Sequence, residues 1–188
     1  MSIRDERQRA VLERMADHLL REGMAGASLR PLAAAAGTSN RMLLYYFADK
    51  DELLAATLEH LAARLARLLD EAGPGDGAPH PFPALLAEVW AAVRAPGLRP
   101  YMHLWLELAA GAARGQEPHR TVAGRIADGF LAWAAARLEV EREADRAPRA
   151  TLLLAAVDGL ALLDAVGRSA AAGEAVGAAA DLTYPRTR

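Results

Sequence analysis

A chain of 188 residues without a cysteine can build neither a disulfide framework nor a thiolate metal site. Alanine and leucine dominate, aromatic residues make up 5% and β-branched residues are few, so an all-α protein is expected and no strand pattern competes. The formal net charge of −2 argues against a broadly basic nucleic-acid surface, and no basic-then-apolar N-terminus suggests export, which leaves a cytoplasmic protein as the expectation.

The first helix is expected from about Arg4 to Glu22, with Val11, Leu12, Met15, Ala16 and Leu19 at three- and four-residue spacing along one face. Gly23 stops it. Arg4 or Arg7 is placed to reach a phosphate, although both also fit a solvated face paired with Asp5 and Glu6.

From Ser28 to Leu54 the chain reads SLRPLAAAAGTSNRMLLYYFADKDELL, two short helices joined by a tight turn and followed by the start of a third. Ser28 is expected to cap the first by accepting from the Arg30 N–H, and Pro31 falls in the first turn, where a missing N–H costs nothing. Leu32, Ala33 and Ala36 face inward, Gly37 supplies the left-handed turn, and Ser39 caps the second helix. Leu43 and Phe47 lie one turn apart on its buried side, and Asp49 with Glu52 forms a capping box for the next helix.

This is a helix-turn-helix, whose second helix aims its first turns at base edges in a major groove. Asn40 suits adenine and Arg41 suits guanine. Tyr45 and Tyr46 near the rim reach toward phosphate oxygens, and Lys50 is placed to hold another. Residues 1 to 52 carry eight basic and eight acidic side chains. Within Ser28 to Lys50, however, Arg30, Arg41 and Lys50 face only Asp49, a local excess that favours specific, salt-sensitive binding. The candidate DNA-binding residues are therefore Ser28, Arg30, Ser39, Asn40, Arg41, Met42, Tyr45, Tyr46 and Lys50.

On these residues the chain resembles the TetR family of transcriptional regulators. The family's signature runs from a helix ending in glycine, through a capped short helix and AG(V/T)S, to an aromatic pair, Phe, and K-(D/E)-E-L-L. Its pieces here are Gly23, Ser28, Ala36 to Ser39, Tyr45 to Phe47, and Lys50 to Leu54. Leu44 stands where the family most often has a tyrosine that touches the DNA backbone, which shifts that role toward Tyr45. Arg41, where many members have Gly or Pro, suggests a base contact of its own.

The capped helix is expected to run from Lys50 to about Glu71, with Leu54, Leu58, Leu61, Leu65 and Leu68 on one face. Residues 72 to 83, AGPGDGAPHPFP, read as a mobile loop. Four more helices follow. One runs from Pro83 to about Ala95 with Leu85, Leu86, Val89, Trp90 and Val93, and the next from Pro100 to about Ala113 is apolar on most sides. Pro118 opens a helix through Val122, Ile126, Phe130, Trp133, Ala134 and Leu138 to about Glu143, and Pro148 opens another that ends near Gly167. The segment ATLLLAAVDGLALLDAV in that helix is too short for a membrane span of about 20 residues and carries Asp158 and Asp164, whose expected partners are Arg125, Arg137 or a second subunit. With a final helix from about Ala171 to Leu182, about nine are expected in all, and residues 183 to 188 read as a frayed tail.

The resemblance implies a DNA-binding domain over 1–52, a ligand-binding and dimerisation domain over 53–182, and a homodimer made by the last two helices, with Leu153, Val157, Leu160 and Asp164 in its interface. It also implies a double-stranded operator and a small-molecule inducer that alters the spacing of the two heads. Trp90, Tyr101, Met102, His103, Trp105, Glu107, Phe130, Trp133 and Asp158 are the candidate ligand residues, and the ligand is expected to be largely apolar. Aromatics at helical spacing are also ordinary core. His103 and Glu107 share a helix face, but two ligands do not make a metal site, and neither a metal nor a cofactor is expected. Two other readings compete. One is a small helical enzyme using His103, Glu107 and Asp158 as acid and base; the other is an interaction or ligand-binding module without DNA.

Overall fold

The computed structural model describes residues 3–72 and 78–181. Among these residues the chain forms α1 (Ile3–Glu22), α2 (Leu29–Ala36), α3 (Asn40–Tyr46), α4 (Lys50–Ala72), α5 (Phe82–Arg94), α6 (Arg99–Ala113), α7 (His119–Arg137), α8 (Arg146–Ala165) and α9 (Ser169–Asp181). The all-α expectation holds, the one β feature among the described residues being an isolated parallel bridge between His80 and Leu138. Among them no helix is long and apolar enough to cross a membrane. The Arg4 side chain, residues 73–77 of the expected loop, and the expected tail lie outside the described residues.

Contacts divide the chain into two units that interleave along the sequence. One comprises the chain up to Arg67 together with Arg99–Ile126, and the other Leu68–Leu98 together with the chain from Ala127 onward. In the first unit, α1 buries Met15, Ala16 and Leu19, and α2 packs against it through Leu32, Ala33 and Ala36. Val11 and Leu12 are only half-buried. On α4 the expected stripe holds through Leu54, Leu58 and Leu61, whereas Leu65 and Leu68 are half-buried. Leu53 and Thr57 are fully buried, and the Thr57 hydroxyl satisfies itself by donating to the Leu53 carbonyl at 2.8 Å.

Charge fastens α4 to α1 where apolar contact ends. The Arg64 guanidinium donates to Asp17 at 2.6 Å and to Glu13 at 3.0 Å, and His60 meets the other Glu13 oxygen. The Asp17 hydrogen bond holds the Arg64 guanidinium above its usual range, against the opposing effect of burial.

In the second unit α5 packs on α8 and α9 through Leu85, Leu86, Val89, Trp90 and Val93, all buried as expected. Two expectations are corrected here. α7 ends at Arg137 and does not continue to Glu143, because the chain turns extended to pair with His80, whose N–H donates to the Arg137 carbonyl at 2.7 Å while its carbonyl accepts from Glu139 at 2.8 Å. The carbonyls this releases are not left bare: Arg146 Nη1 donates to those of Ala135 and Leu138, both at 2.8 Å.

The second correction concerns α8. Leu153, Val157 and Leu160, expected in a subunit interface, are buried in the chain's own core, and Asp164 takes the Ser169 hydroxyl where α9 begins. The outward residues are instead Leu152, Leu162, Leu163 and Val166, with Ala155 and Gly159 exposed between them. Nor do Arg125 and Arg137 serve Asp158 or Asp164 in the ion pairs they make; they pair with Glu59 at 2.8 Å and Asp70 at 2.5 Å.

Candidate nucleic-acid interface

The turn between α2 and α3 is built by local chemistry. Gly37 adopts φ 67° and ψ 34°, a conformation that costs a side-chain-bearing residue about 1–2 kcal/mol. From there the N–H groups of Gly37 and Thr38 turn back onto the carbonyls of Ala34 and Ala33 at 3.1 and 3.0 Å. Arg14 of α1 reaches across to the Ala36 carbonyl at 3.0 Å and ties this turn to the first helix. Nothing in the local pattern singles out Arg14, since the contact joins residues 22 positions apart.

Ser39 caps α3 as expected, its hydroxyl accepting from the Met42 N–H at 3.2 Å. Ser28 occupies the corresponding position on α2 with extended backbone, but its hydroxyl makes no capping bond, so the expected bond to the Arg30 N–H is corrected. The helix does not depend on it, because Leu32, Ala33 and Ala36 are anchored in the core. At α4 the capping box is shifted by one residue. Asp49 accepts from the Glu52 N–H at 2.8 Å, while the Glu52 carboxylate takes the N–H of Ala48 in place of that of Asp49.

Leu43 and Phe47 are buried at 0% and 3% exposure and fix which way α3 faces. Asn40, Arg41, Met42, Leu44 and Tyr45 are consequently exposed, with Tyr46 half-buried and edge-on to Tyr45 at a centroid distance of 5.5 Å. Ser28 and Arg30 lie exposed at the start of α2, and Lys50 at the start of α4. The candidate DNA residues thus lie in one unit, at the starts of α2 and α4 and along the length of α3. Leu44, absent from the candidates, is as open as Met42; a helical wheel centred on Leu43 would have found it.

The candidate ligand residues separate. Tyr101 and Met102 are buried on α6, Trp105 is half-buried, and His103 and Glu107 are exposed. The expected His103–Glu107 pair does not form, because Glu107 accepts the Met24 N–H at 2.7 Å. In the other unit Trp90 is buried, whereas Phe130, Trp133 and Asp158 are half-buried. Trp133 is already engaged. It stacks on Phe130 at 5.5 Å, carries the Arg137 guanidinium 4.4 Å from its ring centre, and donates its indole N–H to Asp70 at 2.7 Å. Two buried polar atoms among these residues have no partner, the Trp90 indole nitrogen and the Tyr101 hydroxyl. Burial raises the Tyr101 phenol above its ordinary range, opposed by the Arg64 guanidinium 5.9 Å from its ring.

Residues 16–57, from the second half of α1 to the first turns of α4, match the family model described as bacterial regulatory proteins, tetR family. Over these residues the chain is similar to the TetR family. Its head is 34% identical over 73 residues to the HTH-type transcriptional repressor Rv3405c of Mycobacterium tuberculosis, a match spanning 39% of each chain, so the chain covers about two fifths of that relative's length. The likeness in fold extends much further than this. A Rhodococcus sp. structure of a TetR-family regulator superposes with a TM-score of 0.74 over 93% of this chain and 96% of that one, at 25% identity. The multidrug binding protein EbrR, solved complexed with proflavin, superposes with a TM-score of 0.65 over 92% and 99% at 26% identity. The departures from the family pattern at Arg41 and Leu44 both lie on the exposed side of α3.

Proposed function

We propose that this chain is a homodimeric, sequence-specific transcriptional regulator, a repressor released from a palindromic operator by a small, largely apolar inducer. The observation that carries the reading is α3 itself: a Ser39-capped helix held by Leu43 and Phe47 that turns Asn40, Arg41 and Tyr45 outward. In the proposal residues 1–52 are the DNA-binding domain and 53–182 the ligand-binding and dimerisation domain. Arg41 reads guanine, Asn40 reads adenine, and Tyr45, Lys50, Arg30 and Ser28 take phosphates. Ser28 suits that role because its hydroxyl is not committed to a cap. DNA as the partner places the protein in the cytoplasm.

For the dimer, the exposed stripe of α8, Leu152, Ala155, Gly159, Leu162, Leu163 and Val166, replaces the inward residues first expected. A second copy supplies the apolar cover that water denies these leucines, and Gly159, where an added Cβ would meet nothing, leaves room for close helix approach. For the inducer, the support is the buried Tyr101 hydroxyl of the first unit, an unpartnered group that a bound molecule would satisfy. EbrR, which holds proflavin, is a precedent within the same fold for an aromatic ligand. The enzymatic reading is weakened, since Glu107, one of its two carboxylates, accepts the Met24 N–H.

Selection of duplexes from a random DNA pool by the purified protein, beside Arg41→Ala, tests the proposal. Enrichment of a palindrome whose guanine preference relaxes in the variant is the expected result. No enrichment at low salt would overturn it, and affinity for an enriched duplex should fall steeply with salt.

A further inference from the structure

Two large apolar side chains on α3 stand outside the core. Met42 is 41% exposed and Leu44 45%, although a helix of seven residues with Leu43 and Phe47 at 0% and 3% has its core contact already made. At about 100° per residue, Arg41 and Tyr45 fall opposite the buried pair, with Met42 on one flank of that ridge and Leu44 on the other.

Given that α3 enters the major groove as proposed above, we propose that Met42 and Leu44 are specificity residues that each contact the C5-methyl group of a thymine beside the base pair facing Arg41. Neither side chain can donate to a phosphate, and the one acceptor between them, the Met42 thioether, is weak. Of the features that distinguish base pairs in the major groove, only the thymine methyl is apolar, and it is the one group these side chains can cover favourably. DNA is the occupant favoured over a second protein because the same short helix exposes Asn40, Arg41 and Tyr45 between and beside the two apolar residues. That is a mixed surface suited to base edges, unlike the wholly apolar stripe of α8.

The test uses the full chain and the duplex it selects, with each thymine replaced singly by deoxyuridine, which removes the methyl and nothing else. Affinity is expected to fall about fourfold at one or two positions in each half-site, the worth of one buried methyl. Met42→Ala should abolish the response at one position and Leu44→Ala at another, while both variants keep wild-type circular dichroism because neither side chain is in the core. If the duplex is bound and every deoxyuridine substitution is neutral, the methyl contacts are overturned and the regulator reading stands. A response that persists in both variants overturns the assignment to these residues. Failure to select any duplex overturns both.

Discussion

The Met24 N–H donates to Glu107 Oε2 at 2.7 Å, joining the short turn before α2 to the middle of α6 across 83 residues of chain. The fit depends on the neighbouring glycine. Gly23 has φ +66°, and a Cβ there would lie 2.5 Å from Glu107 Oε1. One carboxylate therefore takes an N–H of the Gly23–Gly26 turn that follows α1 and holds the segment that leads into α2.

Removing this clasp should loosen the first unit. Glu107→Ala is expected to cost about 1.5 kcal/mol, at the low end for a charged hydrogen bond because the site is exposed, and Glu107→Gln less, since an amide oxygen still accepts. Gly23→Ala should cost more, combining left-handed strain of about 1–2 kcal/mol with the collision. Denaturant midpoints of the single and double variants check this: Glu107→Ala should relieve the collision in Gly23→Ala but not the strain, so the two costs should not add.

Tyr101 predicts the alkaline limb of stability. Its folded-state phenol is raised by burial above the ordinary value of 10, so the unfolded chain gives up that proton first. The stabilisation is fully present below pH 10 and is lost as pH rises through the folded-state value. Tyr101→Phe has no such proton, and its thermal midpoint should fall less steeply above pH 10 than that of wild type. Below that pH the variant should be near wild type, because the hydroxyl it removes has no partner.

The two sides of α8 should respond differently to substitution. Leu162→Glu with Val166→Glu is expected to yield a folded monomer by sedimentation, as both side chains are more than half exposed within one chain. Leu153→Ala, at 0% exposure, should instead destabilise the fold by about 2–5 kcal/mol. A dimer that survives the double substitution would remove α8 from the interface.

Arg146 stands in for the missing continuation of α7. Arg146→Ala would strip the carbonyls of Ala135 and Leu138 of a charged donor, with an expected cost of about 1.5–3 kcal/mol. Hydrogen exchange should speed up first in the last turn of α7 and at Glu139. Protection unchanged there would mean the helix end is held by the His80 pairing alone.

What the sequence determined by itself is local. Gly23 and Gly37 end their helices because a left-handed residue is needed within the same few positions, and Ser39 caps α3 because its hydroxyl has only to reach the Met42 N–H three residues on. The Leu43 and Phe47 spacing is likewise enough to orient the recognition helix, so the candidate DNA face was legible before any packing was known. Tertiary structure decided the rest, because the deciding partners lie far apart in the chain. Arg14 meets Ala36, Glu107 meets Met24, and Arg146 ends α7 through bonds that no periodicity encodes. α8 shows the reason most directly. It is apolar on most of its circumference, so its pattern cannot choose which leucines face inward; the packing of α5 and α9 makes that choice, burying Leu153, Val157 and Leu160 and leaving Leu152, Leu162 and Val166 exposed.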